Sequence, residues 1–154
     1  MTALRLPNAV AAAMRAHAEA AYPDECCGAM LGLRKGPDWL VISSIAAENA
    51  AEDRARRAGY QIGPRDLLDI AVAARRRGLE IAGFYHSHPD CEAAWSPADL
   101  AGAHWIGASY AIIEVRNGRA AAMRSFRLAG ATEEDKRFEP ETVVVENAPP
   151  APVD

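Results

Sequence analysis

The chain has 154 residues, half of them hydrophobic, with 17 Lys and Arg against 21 Asp and Glu and a formal net charge of −4. That is the length of one domain with enough apolar side chain to build a core, and the balance lacks the basic footprint of a nucleic-acid-binding surface. The start, MTALRLPNAVAAAMR, has neither the charged beginning nor the long apolar stretch of a signal peptide, and no apolar run reaches membrane-spanning length, so the expected location is cytoplasmic.

Pro7 suits a first helical position, and Val10, Met14, Ala18 and Ala21 recur at helical spacing until Pro23 stops the helix. CCGAMLGL, Cys26 to Leu33, predicts a strand. Gly36-Pro37 predicts a turn, and WLVISSIAA, Trp39 to Ala47, a second strand. A polar loop runs from Glu48 to Gly59. Gly63-Pro64 opens a second helix with Leu67, Leu68, Ala71 and Ala74 facing inward and Gly78 closing it. Arg75-Arg76-Arg77 then complements the helix dipole and meets solvent. IAGFYH, Ile81 to His86, reads as a buried strand, ended by Pro89. Ser96 to Trp105 begins as a helix begins, with serine at the cap and proline in the first turn.

SYAIIEV and AAMRSFRL flank Asn117-Gly118, the strongest short hairpin signal in the chain. VVVE, Val143 to Glu146, predicts a short edge strand, and NAPPAPVD, Asn147 to Asp154, is too proline-rich to pack and is expected to be disordered. The result is a mixed α/β domain, a central and mostly antiparallel sheet flanked by helices, over residues 1–130. A C-terminal extension (131–146) and a tail (147–154) follow. Cys26, Cys27 and Cys91 are odd in number and two are adjacent, a poor disulfide framework. They read as small buried or half-buried thiols, with a redox role for Cys91 as the alternative.

Chemistry concentrates in HSHPDCEAAWSPAD, His86 to Asp99. Strand residues two apart point the same way, so His86 and His88 aim both imidazoles at one point. A catalytic zinc needs three protein ligands, and Asp99, in the first turn of the helix capped by Ser96, supplies a third. Each half has a plain reading as well: a His-x-His is common, and Ser-Pro-Ala-Asp is an ordinary helix start.

Joined, the two halves resemble the JAMM (MPN+) metalloprotease motif: His-Ser-His-Pro, six residues, then Ser-x-x-Asp. The resemblance implies a single MPN/JAMM-like domain with one catalytic Zn2+ on His86, His88 and Asp99. It gives Ser96 the role of donor to the substrate oxygen and an upstream glutamate that of general acid and base. Glu25, in AYPDECCGAMLG, is the candidate for that glutamate, with Glu48 and Glu52 as rivals in the polar loop. Asn49, the Tyr60-to-Pro64 segment and the Gly78-to-His86 segment resemble the prokaryotic branch, while Gly63 and Cys91 depart from it. That branch implies a ubiquitin-like sulphur-carrier protein as partner, with release of cysteine or another small adduct, or tail trimming. The alternatives are a de-conjugating isopeptidase for a ubiquitin-like modifier and a non-catalytic binding module. Amidohydrolase barrels need more chain, and zinc deaminases need a Pro-Cys-x-x-Cys that is absent. Asp90, Trp95, His17 and His104 carry no motif; the acid reads as solvated and both histidines as structural or surface groups.

Overall fold

The computed structural model describes residues 1–147, so the expected disordered tail lies outside the described residues except for Asn147. Ala3–Pro7 (β1) leads into the helix Asn8–Ala21 (α1). Strands Cys27–Lys35 (β2) and Asp38–Ala47 (β3) follow, then the helix Pro64–Arg76 (α2) and the strand Glu80–Pro89 (β4). A short helix, Pro97–Ala101 (α3), precedes strands Ser109–Arg116 (β5), Arg119–Ala129 (β6) and Arg137–Glu146 (β7). The strands close into a barrel in the order β1-β3-β2-β4-β5-β6-β7. The β2–β3, β2–β4, β5–β6 and β6–β7 ladders are antiparallel; β1–β3, β1–β7 and β4–β5 are parallel. The expected mixed α/β sheet is therefore present, but curled shut.

Alternation along the strands sends side chains to two cores. Leu4, Leu6, Trp39, Val41, Tyr85 and Ile113 pack with α1 through Met14 and Ala18. Ala29, Leu31, Phe84, Tyr110, Leu128 and Phe138 pack with α2 through Ile70 and Ala74. Gly83 lets β4 and β5 approach: a Cβ there would sit 1.7 Å from the Ser109 carbonyl oxygen. Asn117 and Gly118, both at positive φ, make the tight turn their sequence predicts.

Four expectations need correction. The chain opens on a strand, and Pro7 ends it at the cap of α1 instead of taking the first helical position: Leu4 and Leu6 alternate onto the core, too few residues to stand out as a period. The second helix turns Leu67, Ile70 and Ala74 inward, leaving Leu68 63% exposed and Ala71 at the surface. Ile70 takes the centre of the buried face, and at 100° per residue Leu68 falls opposite. The third helix ends at Ala101, where Gly102 caps it. The short edge strand is instead a ten-residue strand bonded on both sides, to β6 and, in parallel, to β1.

Candidate metal and catalytic site

Residues 84, 86 and 88 of β4 share the α2 face, so His86 and His88 continue the row begun by Phe84. In the β2–β4 ladder Cys27 pairs with His86 and Gly28 with Tyr85. Ser87 N donates to the Cys26 carbonyl at 3.2 Å, carrying the ladder one step further. The same register puts Glu25 opposite His88, on the histidines' face. Asp99 arrives from α3 through a capping box: Ser96 Oγ accepts from Asp99 N at 3.1 Å, and Asp99 Oδ2 accepts from Ser96 N at 2.9 Å. The ordinary reading of Ser-Pro-Ala-Asp and its convergence on the histidines thus hold together.

His86 Nε2 and His88 Nε2 lie 3.1 Å apart, and they reach Asp99 Oδ1 and Oδ2 at 3.3 and 3.2 Å respectively. Ligand atoms on a tetrahedral zinc with bonds of ~2.0–2.1 Å are separated by about 3.3–3.4 Å, so two imidazole nitrogens and a carboxylate at these separations fit zinc in size and type, with a different Asp99 oxygen nearest each histidine. His88 Nδ1 faces the Glu92 carbonyl oxygen at 2.9 Å; donation there keeps the proton on Nδ1 and frees Nε2 to coordinate. A carboxylate oxygen of Glu25 and a nitrogen of each histidine lie within 4.8 Å of one another. Glu25 is 5% exposed, and its Oε1 has no hydrogen-bond partner among the described residues. Its rivals Glu48 and Glu52 are exposed.

Burial pushes the Glu25 carboxyl up to about 7, opposed by His88 and reinforced by Asp99. Burial also lowers His86 below the ordinary imidazole range. Burial works against ionised Asp99 too, yet hydrogen bonds from both histidines hold its carboxyl well below the carboxylate range. For His88, burial is outweighed by Asp99 and the Glu92 carbonyl, and the imidazole shifts up.

Three features had no role assigned from the sequence, although Asn49 and the Tyr60-to-Pro64 segment carry part of the family resemblance. Tyr60 stacks on His86 with ring centroids 4.4 Å apart and planes 22° from parallel. Asn49 Nδ2 donates to the carbonyls of Glu25 and Gly59, both at 3.0 Å. A cavity of about 240 Å³, lined by His17, Asp24, Asn49 and Arg56 among others, backs onto Glu25. Trp95 packs edgewise on Phe138. Asp90 accepts from Tyr22 and Asn117, so it is more than a solvated acid. His17 bonds the Tyr85 hydroxyl, and His104 pairs with Glu133 at the surface. Cys26 and Cys27 are buried free thiols, and Cys91 is exposed. No helix of the described residues is long and apolar enough to cross a membrane.

Residues 7–129, which include His86, His88, Asp99, Ser96 and Glu25, match the family described as prokaryotic homologs of the JAB domain. A desampylase of Haloferax volcanii is 32% identical over 93 residues, 58% of this chain and 62% of the relative. A probable TtuB-protein conjugate cleaving protease of Thermus thermophilus is 28% identical over 102 residues, 66% of this chain and 64% of the relative. The chain thus spans less than two thirds of the length of either. A solution structure from Desulfitobacterium hafniense matches with a TM-score of 0.80 at 26% identity, covering 94% of both chains. One from Salinibacter ruber matches with a TM-score of 0.71 at 32% identity, covering 97% of this chain and 95% of the other.

Proposed function

This chain belongs to the prokaryotic JAB-domain family, and we propose that it is a zinc metallopeptidase hydrolysing the amide bond at the C-terminus of a ubiquitin-like protein. The observation that carries the reading is the convergence of His86, His88 and Asp99 at zinc-ligand separations with Glu25 alongside. In it, His86, His88 and Asp99 hold one Zn2+. A bound zinc supplies Lewis acidity and lowers the pKa of a water toward 7.

Glu25 takes a proton from the attacking water and returns it to the leaving amine. Burial raises this carboxyl in the metal-free protein and a bound zinc would favour its ionised form, so Glu25 is placed to accept the proton and, once neutral in its buried site, to give it up. The Ser96 hydroxyl accepts from Asp99 N with a lone pair, so its own hydrogen stays free for the developing oxyanion.

Two leaving amines fit this chemistry. One belongs to cysteine or another small adduct on a sulphur carrier. The other is a lysine of a conjugated protein, and the names of the two relatives favour it. The test offers a ubiquitin-like sulphur carrier in both forms, with intact-mass spectrometry and a chelator-treated control. Chelator-sensitive loss of one cysteine assigns the adduct; release of carrier from the lysine linkage alone assigns the conjugate. No cleavage of either by zinc-loaded protein overturns the substrate class. Glu25→Gln is expected to keep zinc and lose about 10²–10⁴-fold in turnover; a wild-type rate overturns the assignment of Glu25.

A further inference from the structure

We propose that Tyr60 is the positioning residue for His86, its ring doing by stacking what a hydrogen bond does for His88. The inference deepens the zinc reading above and rests on it. A metal-binding imidazole ordinarily donates its second ring N–H to a carboxylate, carbonyl or water, and that bond fixes the ring's orientation. His88 follows the rule through the Glu92 carbonyl. His86 does not: its Nδ1 is buried and has no partner among the described residues. With Nε2 on the metal side beside Asp99 and Nδ1 unbonded, the second restraint on this 2%-exposed ring comes from what packs on its faces. The near-parallel contact is Tyr60, 4.4 Å away at 22°, while His88 is tilted by 57°.

Tyr60 is itself held from both sides. Asn49 Nδ2 donates to the Gly59 carbonyl, and Asn49 Oδ1 accepts from Gln61 N. Ala50 N donates to the Gln61 carbonyl at 2.8 Å, and Asn49 bridges Ile62. The same Asn49 amide donates to the Glu25 carbonyl, and Glu25 N donates to the Arg56 carbonyl at 2.7 Å. One loop, residues 48–62, therefore braces the proton carrier through backbone bonds and a metal-side histidine through an aromatic face. The Tyr60 hydroxyl makes no hydrogen bond among the described residues, so the face carries the role.

The experiment measures zinc affinity by competition with a chromophoric chelator, the visible spectrum of the cobalt(II) form, and the melting temperature of the metal-free protein. Tyr60→Phe is expected to match wild type in affinity and spectrum. Tyr60→Ala is expected to bind zinc about ten- to a hundred-fold more weakly, with an altered cobalt band. Tyr60→Leu fills space without a planar face and is expected to follow Ala, which covers the case of an unfolded Ala variant. A purely structural tyrosine would lower the metal-free melting temperature and leave affinity and spectrum unmoved, and that result overturns the proposal. So does a Tyr60→Phe protein as weak as Tyr60→Ala, which would assign the effect to the hydroxyl. A wild-type protein that takes up no zinc overturns the metallopeptidase reading itself, and this inference with it.

Discussion

Arg127 and Glu141, on β6 and β7, are each 7% exposed, about as buried as Glu25 at 5% and His86 at 2%, yet the two groups are completed differently. Arg127 Nη2 lies 2.9 Å from the Glu141 carboxylate as an ion pair, without the angle of a hydrogen bond, while Arg127 Nε and Nη1 donate to the Ser109 hydroxyl and the Pro37 carbonyl. Glu141 accepts in turn from Ser125 and Thr2. Charge meets countercharge, and the network ties β5, β6, β7, the residue before β1 and the β2–β3 turn together. At the other cluster Glu25 Oε1 and His86 Nδ1 have neither a hydrogen bond nor an ion pair among the described residues, and two imidazole nitrogens and the Asp99 carboxylate crowd one point. Buried polar groups are costly unless satisfied. A cluster closed on itself is explained by the fold, whereas one left open calls for a component from outside the chain.

The sharpest break in the comparison is Asp99→Ala. It removes the carboxylate that, among the described residues, contacts both histidines, and the protein is expected to lose zinc and all measurable turnover, read by metal analysis and the conjugate assay. The matching change in the closed network is Glu141→Ala, which strands a buried guanidinium. Breaking such a pair typically costs about 3–5 kcal/mol, visible in chemical denaturation, while turnover per folded molecule holds. Equal losses of stability from both variants would erase the distinction.

Ser96→Ala comes next. Loss of an oxyanion donor costs about 10²–10³-fold in kcat, and loss of the cap about 1 kcal/mol of stability. Ser96→Gly separates the two, since glycine at a cap costs only a few tenths of a kcal/mol and leaves the catalytic loss intact. Wild-type kcat in both variants would reduce Ser96 to a helix cap.

Much of the site's geometry was legible because it is local. His-x-His on a strand fixes a shared face, and Ser-x-x-Asp fixes a helix start. Glu25 is the intermediate case: its place opposite His88 follows from the β2–β4 register, which only the paired strands supply. The Tyr60-to-Pro64 segment carried a resemblance but no role, and the stacking of Tyr60 and the Glu92 carbonyl were not legible, because a ring face and a backbone oxygen leave no motif. The barrel's closure was hidden for the same physical reason. β1 and β7 are neighbours only through a parallel pairing of the two ends of the chain, and no short-range pattern reports a contact between Ala3 and Thr142. The inward face of α2 failed on degeneracy, since Leu67, Leu68, Ala71 and Ala74 are as periodic as Leu67, Ile70 and Ala74.

The smallest effect has the sign that tells the two clusters apart. In metal-free protein the Glu25 carboxyl stands at about 7, raised by burial from an ordinary 4.5. A carboxyl raised on folding stabilises the fold fully below its unfolded value and loses that contribution as pH climbs from about 4.5 through 7. At 1.36 kcal/mol per unit the ceiling is about 3 kcal/mol. Glu25→Gln removes the titration, so above pH 7 the metal-free variant is expected to melt higher than metal-free wild type. The gap is expected to close toward pH 5. Asp99 stays ionised across this range in both proteins, and His88, which Glu25 helps to raise, titrates in both, so the difference between the two melting curves reports Glu25 together with its coupling to His88. Zinc favours the ionised carboxylate beside it and is expected to shrink the gap. Melting temperatures that run parallel across this range would mean that Glu25 is already satisfied, as Glu141 is, and the open cluster would lose its distinguishing member.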